Sequence, residues 1–276
     1  MVEGAPIPKL LYGTAWKEER TEGLTKLALE AGFRGIDTAN QRKHYFEVAV
    51  GKAVQAAIAS GTLARGDIFL QTKFTFQGGQ DHRLPYDPKA PTAAQVKQSF
   101  ESSLQHFATD YLDSFVLHGP SSRGKLTPTD VEAWRAIEAL ALEGRTRFIG
   151  VSNFTLEQLR ELLALAQVPP RFLQNRCYAS RGWDRAVRHL CGEHSVIYQG
   201  FSLLTANRKE LEHESVRRLA ARHNRSTAEL VFRFALDVGM LPLTGTSSRE
   251  HMQKDLSALD FSLEPTEVQM LEKLAG

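Results

Sequence analysis

One pattern constrains this chain more than any other: short apolar and β-branched runs alternate with longer stretches of helical period along its whole length. Residues 10–14, 35–38, 69–73, 114–118, 148–152, 172–177, 196–202 and 241–244 read as strands. Segments 21–31, 46–60, 92–108, 128–143, 156–166 and 183–191 read as the intervening helices. Two more helices, 214–223 and 227–238, precede the last strand, and 249–256 and 265–274 follow it. Gly32, Gly61 and Gly144 stand where helices close, and Thr155 stands at a helix start. Eight strand–helix units in one uninterrupted chain predict an α/β fold, a (β/α)8 TIM barrel, as a single domain over residues 1–276. The competing architecture is an open doubly wound sheet. That fold usually carries a Gly-rich fingerprint between its first strand and helix, and none is present.

Composition narrows the classes of function. The 276 residues, 42% of them hydrophobic, suffice for a core without disulfides or metal staples. The 34 basic and 32 acidic residues are interspersed, so neither nucleic acid nor an anionic membrane is implied as a partner. Cys177 and Cys191 give no metal spacing and no disulfide framework, which fits free thiols in a reducing cytosol. Residues 1–6 lack a signal pattern, and no apolar run approaches the ~20 residues of a membrane span. The expectation is a cytoplasmic protein without metal.

In a barrel of this type the site lies at the C-terminal ends of the strands, so polar residues that interrupt an apolar run as it ends are informative. The second strand ends in Asp37, the third in Lys73 and the fourth in His118. The fifth ends in Ser152-Asn153, the sixth carries Gln174-Asn175, and the seventh ends in Gln199-Gly200-Phe201-Ser202. Singly, such residues are more often turn formers or solvated side chains. An acid, a lysine and a histidine at one end of consecutive barrel strands converge on one cleft.

With Gly13-Thr14-Ala15-Trp16, Gly35-Ile36-Asp37-Thr38-Ala39, residues 69–73 and 111–118, and Ile149-Gly150-Val151-Ser152-Asn153-Phe154, the sequence resembles the aldo-keto reductases over nearly its whole length. The resemblance implies a catalytic tetrad of Asp37, a tyrosine, Lys73 and His118. The family's tyrosine follows the aspartate by five positions, where this chain has Arg42, which cannot act as an acid at neutral pH. Counted back from Glu47 and Val50-Gly51, the loop is about two residues longer, which brings Tyr45 to the required place with His44 beside it. Tyr45 is assigned the general acid, and His44 is the alternative. Lys73 is expected to lower the phenol's pKa, Asp37 to hold Lys73 charged, and His118 to align the carbonyl.

The same resemblance implies a nicotinamide cofactor, with Ser152, Asn153 and Gln174 at its carboxamide and Phe201 against its ring. Gly13, Thr14, Asp37, Ser202 and Leu204 are further candidate contacts. The run Gly245-Thr246-Ser247-Ser248, with His251, Lys254 and Asp255, suits the adenosine 2′-phosphate at a helix start. Gly245 stands where many relatives have a lysine and His251 where they have an arginine, so NADPH is favoured over NADH by a smaller margin than usual. Trp16, Phe74, Phe76 and Trp183 are candidate aromatics for the substrate pocket, beside Tyr45 and His118. The chain ends soon after its terminal helix, so the expectation is an open pocket for aldehydes or small ketones, with loop 77–91 as one wall. The family expectation is a monomer acting on a small carbonyl compound. Two rivals stand beside this reading: an aldolase using Lys73 as a Schiff-base nucleophile, and a non-catalytic cofactor-binding barrel that senses redox state.

Overall fold

The computed structural model describes residues 4–274; residues 1–3 and 275–276, and with them half of the stretch read for a signal, lie outside the described residues. Eight parallel strands close on themselves: β1 (Leu11–Gly13), β2 (Gly35–Asp37), β3 (Phe69–Phe74), β4 (Leu112–Leu117), β5 (Thr146–Ser152), β6 (Phe172–Arg176), β7 (Ile197–Phe201) and β8 (Leu241–Thr244). β1 pairs with β2 on one side and with β8 on the other, Leu11 lying opposite Leu243, so the open sheet is excluded.

Helices α1 (Thr21–Ala31), α2 (Glu47–Ala59), α3 (Thr92–Phe107), α4 (Pro128–Leu142), α5 (Leu156–Leu165) and α6 (Arg185–Glu193) follow the first six strands. Between β7 and β8 lie α7 (Arg208–Leu211), α8 (Glu214–Arg222) and α9 (Thr227–Asp237); α10 (Arg249–Ser257) and α11 (Pro265–Glu272) end the chain. Local chemistry sets their limits. Thr127, Thr155 and Ser226 accept from the backbone three residues on, and Asp130, Gln158 and Glu229 reach back in reciprocal capping boxes. Gly32 ends α1 at φ 114°, a conformation that costs a side-chain-bearing residue strain. A Cβ on Gly51 would lie 1.8 Å from the His106 carbonyl oxygen, so only glycine lets α2 and α3 touch there.

Strand alternation decides what the barrel holds. On β3, Phe69, Gln71 and Lys73 share the inward phase, while Leu70, Thr72 and Phe74 face the helices. The floor is Leu11, Phe69, Phe172, Leu241 and Leu243 packed with Ala5, the Phe69 and Phe172 rings meeting edge-on at 5.9 Å. Above it the amide nitrogen of Gln71 donates to Asp37 (2.7 Å) and Gln199 (2.8 Å), and that of Gln174 to Asp37 and Gln199 (2.9 Å each). Each side-chain amide nitrogen of Gln71 and Gln174 in this layer thus meets an acceptor, which makes its burial tolerable. The opposite phase packs against the helices, as where Phe115 meets Phe100 at 5.0 Å.

One helix differs from its sequence reading. Segment 183–191 begins only at Arg185, because Trp183 (φ 54°) and Asp184 (φ 53°) adopt left-handed backbone. Tertiary packing drives this: the Trp183 indole is fully buried and donates to the Leu271 carbonyl at 2.8 Å. Trp183 therefore belongs to the core beneath α11, not to a substrate pocket.

Candidate active site

The C-terminal ends of the strands surround a cavity of about 550 Å³, a size typical of small-molecule sites. Beneath it, Lys73 donates to both oxygens of Asp37 at 2.7 Å and to the Thr38 carbonyl at 2.8 Å. Three donated bonds require three N–H groups, so the geometry is that of an ammonium. Burial pushes the Lys73 pKa down from the usual lysine value, and Asp37 opposes that shift.

The β2–α2 loop carries the tyrosine. Its turn closes where the Tyr45 backbone N–H donates to the Gln41 carbonyl at 3.0 Å. Arg42 is turned away, 3.9 Å over the Phe46 ring and 3.1 Å from Glu19. His44 packs at a tilt against Trp16 with ring centres 4.0 Å apart and does not line the cavity. Tyr45 does line it, with the Lys73 ammonium 5.2 Å from its ring centre and the His118 ring at 5.7 Å. Among the described residues the Tyr45 hydroxyl has no hydrogen-bond partner. Its pKa is raised, not lowered: burial is the main cause and the Asp37 charge the second. The expected depression fails because burial of the phenol outweighs any help from Lys73, and the Asp37 carboxylate adds to the rise.

His118 follows β4 and also lines the cavity. Burial, the Lys73 charge and the nearby His44 hold its pKa well below the usual histidine value, so the ring is neutral at pH 7. Its Nδ1 lies 2.7 Å from the Thr75 hydroxyl.

Of the residues read as cofactor contacts, Gly13, Ser152, Asn153, Gln174, Phe201, Ser202, Leu204, Gly245, Thr246, His251, Lys254 and Asp255 line the cavity with Asp37. Asn153, at φ 59°, donates to the His118 carbonyl (2.8 Å) and to the Ser152 hydroxyl (3.1 Å). Burial raises the Asp255 pKa to about 6 although the Thr244 hydroxyl donates to it at 2.6 Å. Trp16 forms part of the rim and is 67% exposed.

Other residues fall elsewhere. Thr14 is fully buried and ties β1 to β2 by donating to the Asp37 carbonyl at 3.0 Å. Phe74 lies one residue out of phase with Lys73; it is fully buried on the helix side against Phe76 (5.2 Å) and Tyr86 (5.6 Å). Neither Phe74 nor Phe76 is a pocket wall. No residue of loop 77–91 lines the cavity; the loop packs behind β3, where Tyr86 donates to the Thr75 carbonyl at 2.8 Å. Ser247 is exposed off the wall, and Ser248 caps α10 by accepting from the His251 N–H. Sequence reading named Gln199 at its strand end but missed its amide layer with Gln71, the wall residues Leu203, Thr205, Ser226, Ala228 and Phe232, and Thr75. Strand phase gives a signal for Gln71 and Thr75; the α9 wall residues carry none.

Among the described residues, no helix is long and apolar enough to cross a membrane, and no group of His, Cys, Asp or Glu could hold a metal ion. Residues 11–275 match the family model described as the aldo/keto reductase family. The chain is 28% identical over 273 residues to the uncharacterized oxidoreductase YtbE of Bacillus subtilis (strain 168), covering 98% of this chain and 90% of the relative. It is 28% identical over 277 residues to the methylglyoxal reductase DkgA of Yersinia pestis, covering 99% and 91%. The crystal structure of an aldo/keto reductase from Brucella melitensis superposes with a TM-score of 0.82 at 29% identity, covering 97% of this chain and 95% of that one. The chain therefore belongs to the aldo/keto reductase family, oxidoreductases that act on small carbonyl compounds with a nicotinamide cofactor.

Proposed function

We propose that this protein reduces aldehydes or ketones to alcohols with NADPH, and that Tyr45 is the general acid. The observation that carries this reading is the unpartnered Tyr45 hydroxyl on the cavity wall, with the Lys73 ammonium and the His118 ring beside it. Reduction leaves an alkoxide, which is more basic than a phenolate. A phenol held protonated by burial can therefore pass its proton downhill to it. The phenolate that results lies near the Lys73 ammonium, whose orientation is fixed by Asp37 and Thr38. Neutral His118 offers an N–H to the carbonyl oxygen as negative charge develops.

A reduced nicotinamide, when bound, supplies the hydride. The wall suits it. Asn153 and Gln174 spend their amide nitrogens on protein partners, which leaves Asn153 Oδ1 and Gln174 Oε1 as acceptors for a carboxamide. Phe201 offers an aromatic wall, and Ser202, Leu204 and Thr205 border the path toward β8. On the α10 wall the Lys254 ammonium and the His251 imidazole line the cavity, and Lys254 favours the 2′-phosphate of NADPH. A methylglyoxal reductase among the relatives makes small reactive aldehydes the first substrates to try.

The Schiff-base alternative needs a free neutral amine, whereas Lys73 gives three N–H groups to fixed acceptors. The test is NADPH oxidation by the purified protein across a panel of aldehydes and ketones. Acceleration by none of them would overturn the reading.

A further inference from the structure

Behind the cavity, one hydroxyl decides what His118 can do. β3 and β4 run in register through Phe74 opposite Leu117, and the His118 N–H donates to the Phe74 carbonyl at 2.9 Å. The next residues, Thr75 and His118, are thereby set side by side. Thr75 continues the inward phase of Phe69, Gln71 and Lys73, and its side chain is buried. Its hydroxyl lies 2.7 Å from His118 Nδ1 and has no other partner among the described residues. The backbone of Thr75 is anchored from outside: its carbonyl accepts from the Tyr86 hydroxyl at 2.8 Å and from the Gln80 amide at 3.4 Å. The His118 carbonyl is likewise held, by Asn153 at 2.8 Å. Both partners are fixed before any ligand arrives.

We propose that Thr75 is a positioning residue that donates its hydroxyl proton to His118 Nδ1 and so confines the imidazole to the tautomer protonated at Nε2. A neutral imidazole has one N–H, and a hydroxyl can either give or accept. If Nδ1 carried the proton, Nε2 would present a lone pair to the cavity and repel a carbonyl oxygen. With Thr75 as donor, Nε2–H is the group left for that oxygen, and every polar atom is satisfied. The nearby Lys73 ammonium and burial keep the ring from becoming doubly protonated, so the choice is between these two tautomers. Loop 77–91 then acts on the site indirectly, through Tyr86, Gln80 and the backbone of Thr75.

The inference rests on the reductase reading for its consequence but not for its test. ¹⁵N chemical shifts of the His118 ring, recorded with and without NADP⁺, report the tautomer directly and need no turnover. The expected result is an unprotonated Nδ1 and a protonated Nε2 in the native protein and in Thr75→Ser. Thr75→Val, which keeps the shape and loses the hydroxyl, is expected to show a mixture. In parallel, Thr75→Val should lose about tenfold in kcat with KM for NADPH unchanged, and Thr75→Ser should recover most of it. A protonated Nδ1 in the native protein overturns the proposal, and so does a Thr75→Val spectrum identical to the native one. Absence of any carbonyl reduction would overturn the reductase reading instead and leave the spectra to decide the role of Thr75.

Discussion

Lys73 places its ammonium 2.7 Å from both carboxylate oxygens of Asp37, and both side chains are removed from solvent in the throat of the barrel. A buried pair of this kind gains little over two apolar residues, but breaking it on one side leaves an uncompensated charge. Asp37→Asn is therefore expected to destabilise the fold by about 3–5 kcal/mol, and the double change Asp37→Asn with Lys73→Met by distinctly less. Urea unfolding of the native protein, both single variants and the double variant gives the coupling. Additive single effects would show that the pair does not act as a unit.

The neighbouring loop yields a sharper test, because Tyr45 and His44 are adjacent in sequence but only Tyr45 lines the cavity. Tyr45 lies on the cavity wall, while His44 packs at a tilt against the rim residue Trp16 and does not line the wall. Tyr45→Phe is expected to lower kcat by about a hundredfold or more and to leave NADPH affinity within a factor of about two, since a phenyl ring keeps the wall and removes only the proton. His44→Ala should change kcat by less than about threefold. Steady-state kinetics and cofactor titration separate the two residues, and the reverse ranking would move the acid to His44.

The pH dependence follows from the neutral His118 and the protonated Tyr45. The His118 pKa lies well below its ordinary value, mainly through burial, so the ring gains a proton only well below the usual histidine range. The Tyr45 pKa is raised, so the phenol keeps its proton through neutral and mildly alkaline pH. Neither group titrates between about pH 6 and 8, and kcat for reduction is expected to be flat across that window. A profile with an inflection near the ordinary histidine value would contradict this placement. Stability carries a different signature. Asp255 has its pKa raised to about 6 from 3.8, so folding favours its acid form, and that contribution is present below pH 4 and lost as pH rises through 6. Asp255→Asn is expected to be more stable than the native protein at pH 7, by up to about 3 kcal/mol, with the gap closing toward pH 4. Denaturant unfolding at the two pH values measures it.

Much of this site was legible in the sequence because strand ends are marked by chemistry. Asp37, Lys73 and His118 each interrupt an apolar run where a barrel strand must stop, and the structure gathers them as that placement implies. The Tyr45 assignment rests on reading the loop as about two residues longer, and the turn closed on Gln41, with Arg42 over Phe46, brings Tyr45 and not Arg42 to the cavity wall. Phe74 misled because aromatic character says nothing about phase: one position beyond an inward Lys73 is outward. Trp183 misled for a different reason, since its left-handed backbone is imposed by a partner, Leu271, far along the chain. The direction of the Tyr45 shift was also illegible, because it depends on how completely the folded barrel buries the phenol, which the sequence does not carry.

The proposed cofactor preference is assigned to the α10 wall, where a lysine contributed from position 245 is lacking. Lys254 sits there with its ammonium 2.6 Å from Glu250, a pair half open to solvent, while Arg249 is paired with Glu30. Exposed pairs of this sort are weak, on the order of 0–1 kcal/mol, so a 2′-phosphate carrying about two charges can draw Lys254 away from Glu250. Asp255, buried beside it, acts in the opposite sense above pH 6, where it adds negative charge to the same wall. Lys254→Met is accordingly expected to lower kcat/KM for NADPH about tenfold and to leave the value for NADH within about twofold. The proposed preference for NADPH is also expected to shrink as ionic strength rises, because the contact is solvent-exposed and screened within about 10 Å at 0.1 M salt. Equal losses with both cofactors would show that Lys254 supports α10 and does not read the phosphate.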